Sequence, residues 1–212
     1  MQDWTDRFID LAREAGALQF GHFELKSGRV SPYFFNAGRF DEGRTIAGVA
    51  DCYADAIVAS GVEFDLLFGP AYKGIPLATA VAVSLYRRHE RSVPVAWNRK
   101  EAKDHGEGGQ LVGAAVDGRV LVVDDVISAG TAFGQARAII ERAGGRVVGL
   151  AVGLDRQERG SDRQSARAEI VAAGVDVISV AALDDLITQL ERDDSNTGFL
   201  SDMLEYRLLF GA

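Results

Sequence analysis

A single cysteine, Cys52, in 212 residues excludes any disulfide within the chain and fits a reducing compartment. No apolar run approaches the ~20 residues that a membrane-spanning helix needs, and stretches such as 77–85 are short and interrupted. The opening Met1-Gln2-Asp3-Trp4 carries no basic leader and no apolar segment, so no secretory signal is expected. Together these shortages point to a cytoplasmic protein with neither membrane nor disulfide chemistry. Positive charge is scarce too: 23 basic against 31 acidic residues leave a formal charge of -8. An acidic surface repels phosphate backbones, so nucleic acid is not an expected partner, and any anionic ligand must meet a local cluster of cations. Lysine is scarcest of all, at four of the 23, so it is not the default solvated cation here. What remains is ordinary: 47% hydrophobic and 25% charged residues, enough for one sizeable core.

Helical and extended patterns alternate along the chain. Residues 4–15 put Phe8, Ala12 and Ala15 on one helical face, with Asp3 or Thr5 as N-cap and Gly16 as stop. Phe23 to Arg29 reads as a strand ending in a turn, followed by Tyr33-Phe34-Phe35. Ile46, Ala50, Tyr53 and Ile57 mark a second helix that ends at Gly61. Short apolar strands at 64–69, 93–97, 120–123, 147–154 and 175–180 then alternate with helices at 74–88, 133–143 and 183–190. This predicts an α/β fold whose parallel sheet is covered on both faces. Residues 199–210 read as one more amphipathic helix. Residues 99–109 hold three cations, three anions, His105 and three glycines, which makes them a mobile loop: simple disorder or a lid. No repeat or linker divides the chain. One domain is expected, with a hood or flap over about 1–35, a core over 40–190 and a C-terminal helix over 195–212.

The most informative stretch is 120–132, Val-Leu-Val-Val-Asp-Asp-Val-Ile-Ser-Ala-Gly-Thr-Ala. A buried strand delivers Asp124 and Asp125 to its C-terminal end, and a small-residue turn opens a helix. Open α/β sheets bind ligands at that edge. The turn can aim backbone N–H groups at one point beside the hydroxyls of Ser128 and Thr131, which suits a phosphate monoester. Two carboxylates add nothing to phosphate binding, but they can accept vicinal ribose hydroxyls and stabilise a cationic sugar. A turn without any such role is the plain alternative. A response-regulator receiver also ends its first strand in paired aspartates, but it needs a lysine further on, and none follows Asp125.

Val122 to Thr131 resembles the signature with which type I phosphoribosyltransferases bind phosphoribosyl pyrophosphate (PRPP). Four other segments narrow the resemblance to the orotate phosphoribosyltransferases: Leu25-Lys26-Ser27-Gly28-Arg29, Tyr33-Phe34-Phe35-Asn36, Gly69-Pro70-Ala71-Tyr72-Lys73-Gly74-Ile75 and Arg99-Lys100-Glu101-Ala102-Lys103-Asp104-His105-Gly106-Glu107-Gly108. They stand in the right order, and all four lysines fall inside them. The resemblance implies a type I phosphoribosyltransferase-like sheet flanked by helices, with a small N-terminal hood. It also implies transfer of the phosphoribosyl group from PRPP to orotate. A purine phosphoribosyltransferase would share the twin aspartates but lack the 99–109 pattern. A PRPP-sensing regulator of the same fold would need a basic surface or an added helix-turn-helix.

Carried over residue by residue, the resemblance gives Asp124 and Asp125, with Val126, Ile127, Ser128, Ala129, Gly130, Thr131 and Ala132, to the phosphoribosyl group. Arg99, Lys103 and His105 would take pyrophosphate, with Tyr72 and Lys73 as a second contact. Lys103, Asp124 and Asp125 are the expected catalytic groups. Lys100 would reach the neighbouring subunit's site, which implies a homodimer. Lys26 would touch both base and PRPP; the backbones of Phe34 and Phe35 would hold the pyrimidine, with Ser128 beside it. Arg156 would take a carboxylate or carbonyl of orotate. Read from pattern alone, two successive aromatics fit a core and Arg156 a strand-end surface. Ser128 stands where many relatives carry threonine, keeping the hydroxyl and losing the methyl. No cysteine–histidine spacing marks a protein metal site. Mg2+ is nonetheless implied, held mainly through PRPP and water.

Overall fold

The computed structural model describes residues 2–25, 28–103, 109–127, 131–159, 165–192 and 197–212, with backbone alone at 101–103, 109, 131 and 197. Helix α1 (Asp3–Glu14) leads into a hairpin of β1 (Leu18–Glu24) and β2 (Val30–Phe35), followed by α2 (Gly43–Ser60). Then come β3 (Leu66–Gly69), α3 (Gly74–His89), β4 (Val95–Lys103), β5 (Gly109–Gly113) and β6 (Gly118–Val126). The chain ends with α4 (Thr131–Arg142), β7 (Gly145–Asp155), α5 (Ala166–Ala172), β8 (Asp176–Ala182), α6 (Leu183–Glu191) and α7 (Thr197–Phe210).

Six strands form the main sheet in the order β5-β4-β3-β6-β7-β8, all parallel except β5, which runs antiparallel to β4. Alternation along the strands sends Leu67, Leu121, Val123 and Ala151 to one face, where α1, α2, α3 and α6 cover them. Leu66, Phe68, Val120, Val122, Leu150 and Val152 go to the other, under Ala136 and Ile140 of α4 and Ile170 of α5. A strand buried on both faces has no polar position to spare, which is why these strands read as unbroken apolar runs. Gly61, at φ +68, closes α2 where the sequence placed its end. No described helix is long and apolar enough to cross a membrane.

Several expectations need correction. The N-cap of α1 is Gln2, not Asp3 or Thr5; the Thr5 hydroxyl instead donates to the Val180 carbonyl at 2.8 Å, tying α1 to the main sheet. The hairpin β1-β2 forms a sheet of its own, and α1 puts Phe8, Ile9 and Ala12 into the same core as Leu18 and Tyr33 of that hairpin. Residues 99–103 are strand rather than loop, paired with β5, which the sequence reading missed along with α5. A charged strand is tolerated there because the β4–β5 pair is the sheet's rim, where polar side chains remain solvated. Residues 104–108 lie outside the described residues. Helix α7 is less amphipathic than expected: it buries Met203 and Tyr206 but leaves Leu204, Leu208 and Leu209 exposed.

Candidate active site

The strand order reverses between β3 and β6. From β3 the chain runs outward to β4 and β5, then returns past β3 to β6, opening a crevice at the C-terminal ends of these two strands. The turn out of β3 is tight. A side chain on Gly69 would run into the Gly74 carbonyl, and one on Gly74 would lie 2.8 Å from the Val123 carbonyl. Glycine at both places lets the turn press against β6 one residue before Asp124. Lys73 thereby reaches the twin acids, its Nζ 2.7 Å from Asp125 Oδ2. The Ala71 N–H donates to Asn98 Oδ1 at 3.1 Å, which fastens the turn to β4. The Ala71–Tyr72 peptide is cis.

The two carboxylates are held by their own strand. Asp125 N–H donates to Asp124 Oδ1 at 2.9 Å, and Val126 N–H donates to Asp125 Oδ1 at 3.0 Å. Behind them the buried Tyr53 of α2 donates its hydroxyl to the Asp124 carbonyl at 2.8 Å. Burial, then the neighbouring charge of Asp125, push the Asp124 carboxyl up to about 6, with the Lys73 ammonium pulling the other way. Two acids so close and so buried resist holding two charges, and a cationic group entering the cleft relieves that strain. Burial also drives the Tyr53 hydroxyl well above its ordinary value, so it remains a donor.

Tyr72, Lys73, Lys100, Asp124, Asp125 and Ala132, all singled out from the sequence, line one cleft of about 520 Å³. Lys100 Nζ lies 4.6 Å from the centre of the Tyr72 ring. With Lys73 it supplies the local positive charge that an acidic chain needs for an anionic ligand. Asn98, Gln110, Gln135 and Arg142 also line the cleft and were not anticipated. Two of them had a signal, since Ala132, Gln135, Ala136, Ile139 and Arg142 recur at helical spacing on one face of α4. Asn98 and Gln110 come from adjacent strands, and β5 had not been recognised.

Arg156, Phe34 and Phe35 do not line this cleft. Arg156 follows β7 at the same sheet edge, since Val126 pairs with Leu154. It donates to Glu158 Oε1 at 2.7 Å and to Ser31 Oγ at 3.2 Å, and its guanidinium lies 4.3 Å from the centre of the Tyr33 ring. Phe34 is exposed, whereas Phe35 packs on Phe8 and Phe40. Asn36 N–H donates to the Ala17 carbonyl, so antiparallel alternation turns the Phe35 backbone away from β1. Val126 ends β6 and Ile127 follows it, buried; Arg99 sits on β4. Lys26, His105, Ser128, Ala129 and Gly130 lie outside the described residues, and Lys103 and Thr131 are described by backbone alone.

Residues 40–181 match the family model for the phosphoribosyl transferase domain. Over its whole length the chain is 58% identical to the orotate phosphoribosyltransferase of Xanthomonas axonopodis pv. citri, of which it covers 98%. The chain belongs to the orotate phosphoribosyltransferase family. Its fold agrees with that of the Francisella tularensis orotate phosphoribosyltransferase, at 37% identity and a TM-score of 0.85, covering 97% of this chain and 99% of that one. It is also similar to the orotate phosphoribosyltransferase of Mycobacterium tuberculosis in complex with PRPP, at 26% identity and a TM-score of 0.63, covering 85% and 98%. Membership of the orotate phosphoribosyltransferase family makes this chain an enzyme, and the mostly parallel sheet flanked by helices is that family's fold.

The family generally uses Mg2+ with PRPP, and the donor set suits an ion that arrives with substrate. Among the described residues no three His, Cys, Asp or Glu side chains gather to form a metal cage. Two crowded carboxylates can nonetheless face an ion whose other ligands are phosphate oxygens and water.

Proposed function

We propose that this enzyme transfers the 5-phosphoribosyl group of PRPP to orotate, giving orotidine 5'-monophosphate and pyrophosphate in pyrimidine biosynthesis. The observation that carries the reading is the Asp124–Asp125 pair at the end of β6, with Lys73 in the same cleft. As the bond from the anomeric carbon to pyrophosphate breaks, the ribose ring gains cationic character, and the base nitrogen attacks its opposite face. Asp124 and Asp125 accept the ribose hydroxyls and favour that cation. Lys73, with Arg99, Lys103 and His105, takes the charge of the leaving pyrophosphate. The protein's part is positioning, exclusion of water and charge stabilisation.

Orotate occupies the same sheet edge beside this cleft, held by Arg156, by the backbones of Phe34 and Phe35, and by Lys26. The 5'-phosphate is held by residues 128–130 with Thr131 and Ala132, the last two at the start of α4. Mg2+ bound with PRPP would neutralise part of the pyrophosphate charge, held near Asp124 and Asp125 by substrate oxygens and water. The enzyme works in the cytoplasm as a homodimer; Lys100 lies against Tyr72 of its own cleft in the single chain and is assigned to the partner's site in the dimer. A panel of orotate, uracil, hypoxanthine and adenine with PRPP and Mg2+ tests the reading. Consumption of orotate alone is expected. Turnover of a purine instead would make this a purine enzyme, and no pyrophosphate release with any base would make it a PRPP sensor.

A further inference from the structure

An arginine that recognises a planar base works only if its guanidinium plane is fixed. Arg156 stands just beyond β7 in a short irregular segment whose next residue, Gln157, has a φ of +50. That backbone cannot hold the side chain by regular pairing. Its support comes from Glu158, two residues on, and from distant parts of the chain. Glu158 Oε1 accepts from Arg156 at 2.7 Å and from the Tyr206 hydroxyl of α7, also at 2.7 Å. Tyr206 is 4% exposed and meets Tyr33 edge-on at 6.2 Å between ring centres, and Tyr33 is the aromatic on which the Arg156 guanidinium rests.

The end of α7 and the two residues after it close over the same segment. Arg159 N–H donates to the Phe210 carbonyl and Ala212 N–H to the Gln157 carbonyl, both at 2.8 Å, while Glu158 bridges Gly211. Glu158 is therefore pinned through its backbone by residues 210–212 and through its side chain by Tyr206, some fifty positions along the chain.

We infer that Glu158 and Tyr206 are positioning residues for orotate, and that α7 with residues 210–212 forms a brace that aims Arg156 at the base. Neither residue needs to touch substrate. The inference rests on the reading of Arg156 as an orotate contact, and the experiment keeps the two apart.

Tyr206→Phe removes one oxygen and keeps the ring in its packing; Glu158→Gln keeps the shape and removes the charge. Both are compared with Arg156→Ala by steady-state kinetics, varying orotate and PRPP separately. Loss of one hydrogen bond to a charged group corresponds to a rise of about tenfold, so each positioning variant should raise the KM for orotate by roughly that factor. The KM for PRPP should stay within about twofold, since a loosened fold would shift both substrates together. If both variants leave the orotate KM unchanged while Arg156→Ala raises it, the brace is refuted and the orotate reading stands. Equal rises for both substrates would also refute it, as general loosening. If Arg156→Ala itself leaves orotate KM unchanged, the reading of Arg156 falls and takes the brace with it.

Discussion

Replacing Asp124 by asparagine isolates the electrostatic cost built into this site. The carboxyl is held at about 6 against an ordinary 3.8, first by burial and then by Asp125. Between those values the folded protein keeps a proton that the unfolded chain has released, so stability falls as pH rises through that window. At 1.36 kcal/mol per pH unit, the gap corresponds to about 3 kcal/mol lost by neutral pH. Asparagine carries no charge, and its carbonyl oxygen can still accept from Asp125 N–H as Asp124 Oδ1 does. Asp124→Asn is therefore expected to be more stable than the parent by up to about 3 kcal/mol at pH 7.5, with the gain vanishing near pH 4. Urea unfolding at a series of pH values reads this directly. An advantage of equal size at pH 4.5 and pH 7.5, or none at pH 7.5, would show that the Asp124 charge is not paid for in stability. The same variant should lose activity, because the group that favours the cationic ribose is gone.

Three further outcomes are expected. Lys103→Ala should slow turnover by about 100- to 1000-fold at saturating PRPP with its circular dichroism unchanged, the loss typical of one transition-state contact; wild-type speed would remove this lysine from catalysis. Gly153→Ala should lower stability by roughly 1–3 kcal/mol, since the new Cβ would lie 2.8 Å from the Tyr53 hydroxyl and 2.9 Å from the Phe8 ring. An unaltered melting temperature would contradict the packing behind Asp125. Mixing Lys100→Ala with Asp125→Asn subunits should give more activity than either variant alone if sites are shared across a dimer of twice 22.8 kDa. Activity equal to the mean of the two would count against shared sites.

The sheet was legible because its physics is local. A strand buried on both faces must be apolar throughout, so β3, β6, β7 and β8 announced themselves, though β6 runs on to Val126 because backbone pairing with β7 continues past the apolar stretch and through the aspartates. The cleft was legible through the twin aspartates at the end of an apolar strand and through the 69–75 segment, which carries part of the family resemblance. The 99–103 stretch was misread because a rim strand needs no apolar residues, and its pairing with β5 is a tertiary fact. Glu158 and Tyr206 were invisible for the same cause. Glu158 stands two residues from Arg156 with nothing in the sequence to mark the pairing, and only the closing of residues 210–212 over 157–159 brings Tyr206 to them.

The central claim is that Asp125, paired with Lys73 at the end of β6, belongs to the place where PRPP is broken. It is tested most directly by measuring pyrophosphate released and orotate consumed in the same reaction, for the parent enzyme and for Asp125→Asn. The parent should release one pyrophosphate for each orotate lost, and the variant should do so roughly 100- to 1000-fold more slowly while remaining folded. A folded Asp125→Asn enzyme that releases pyrophosphate at the parent's rate would contradict the account.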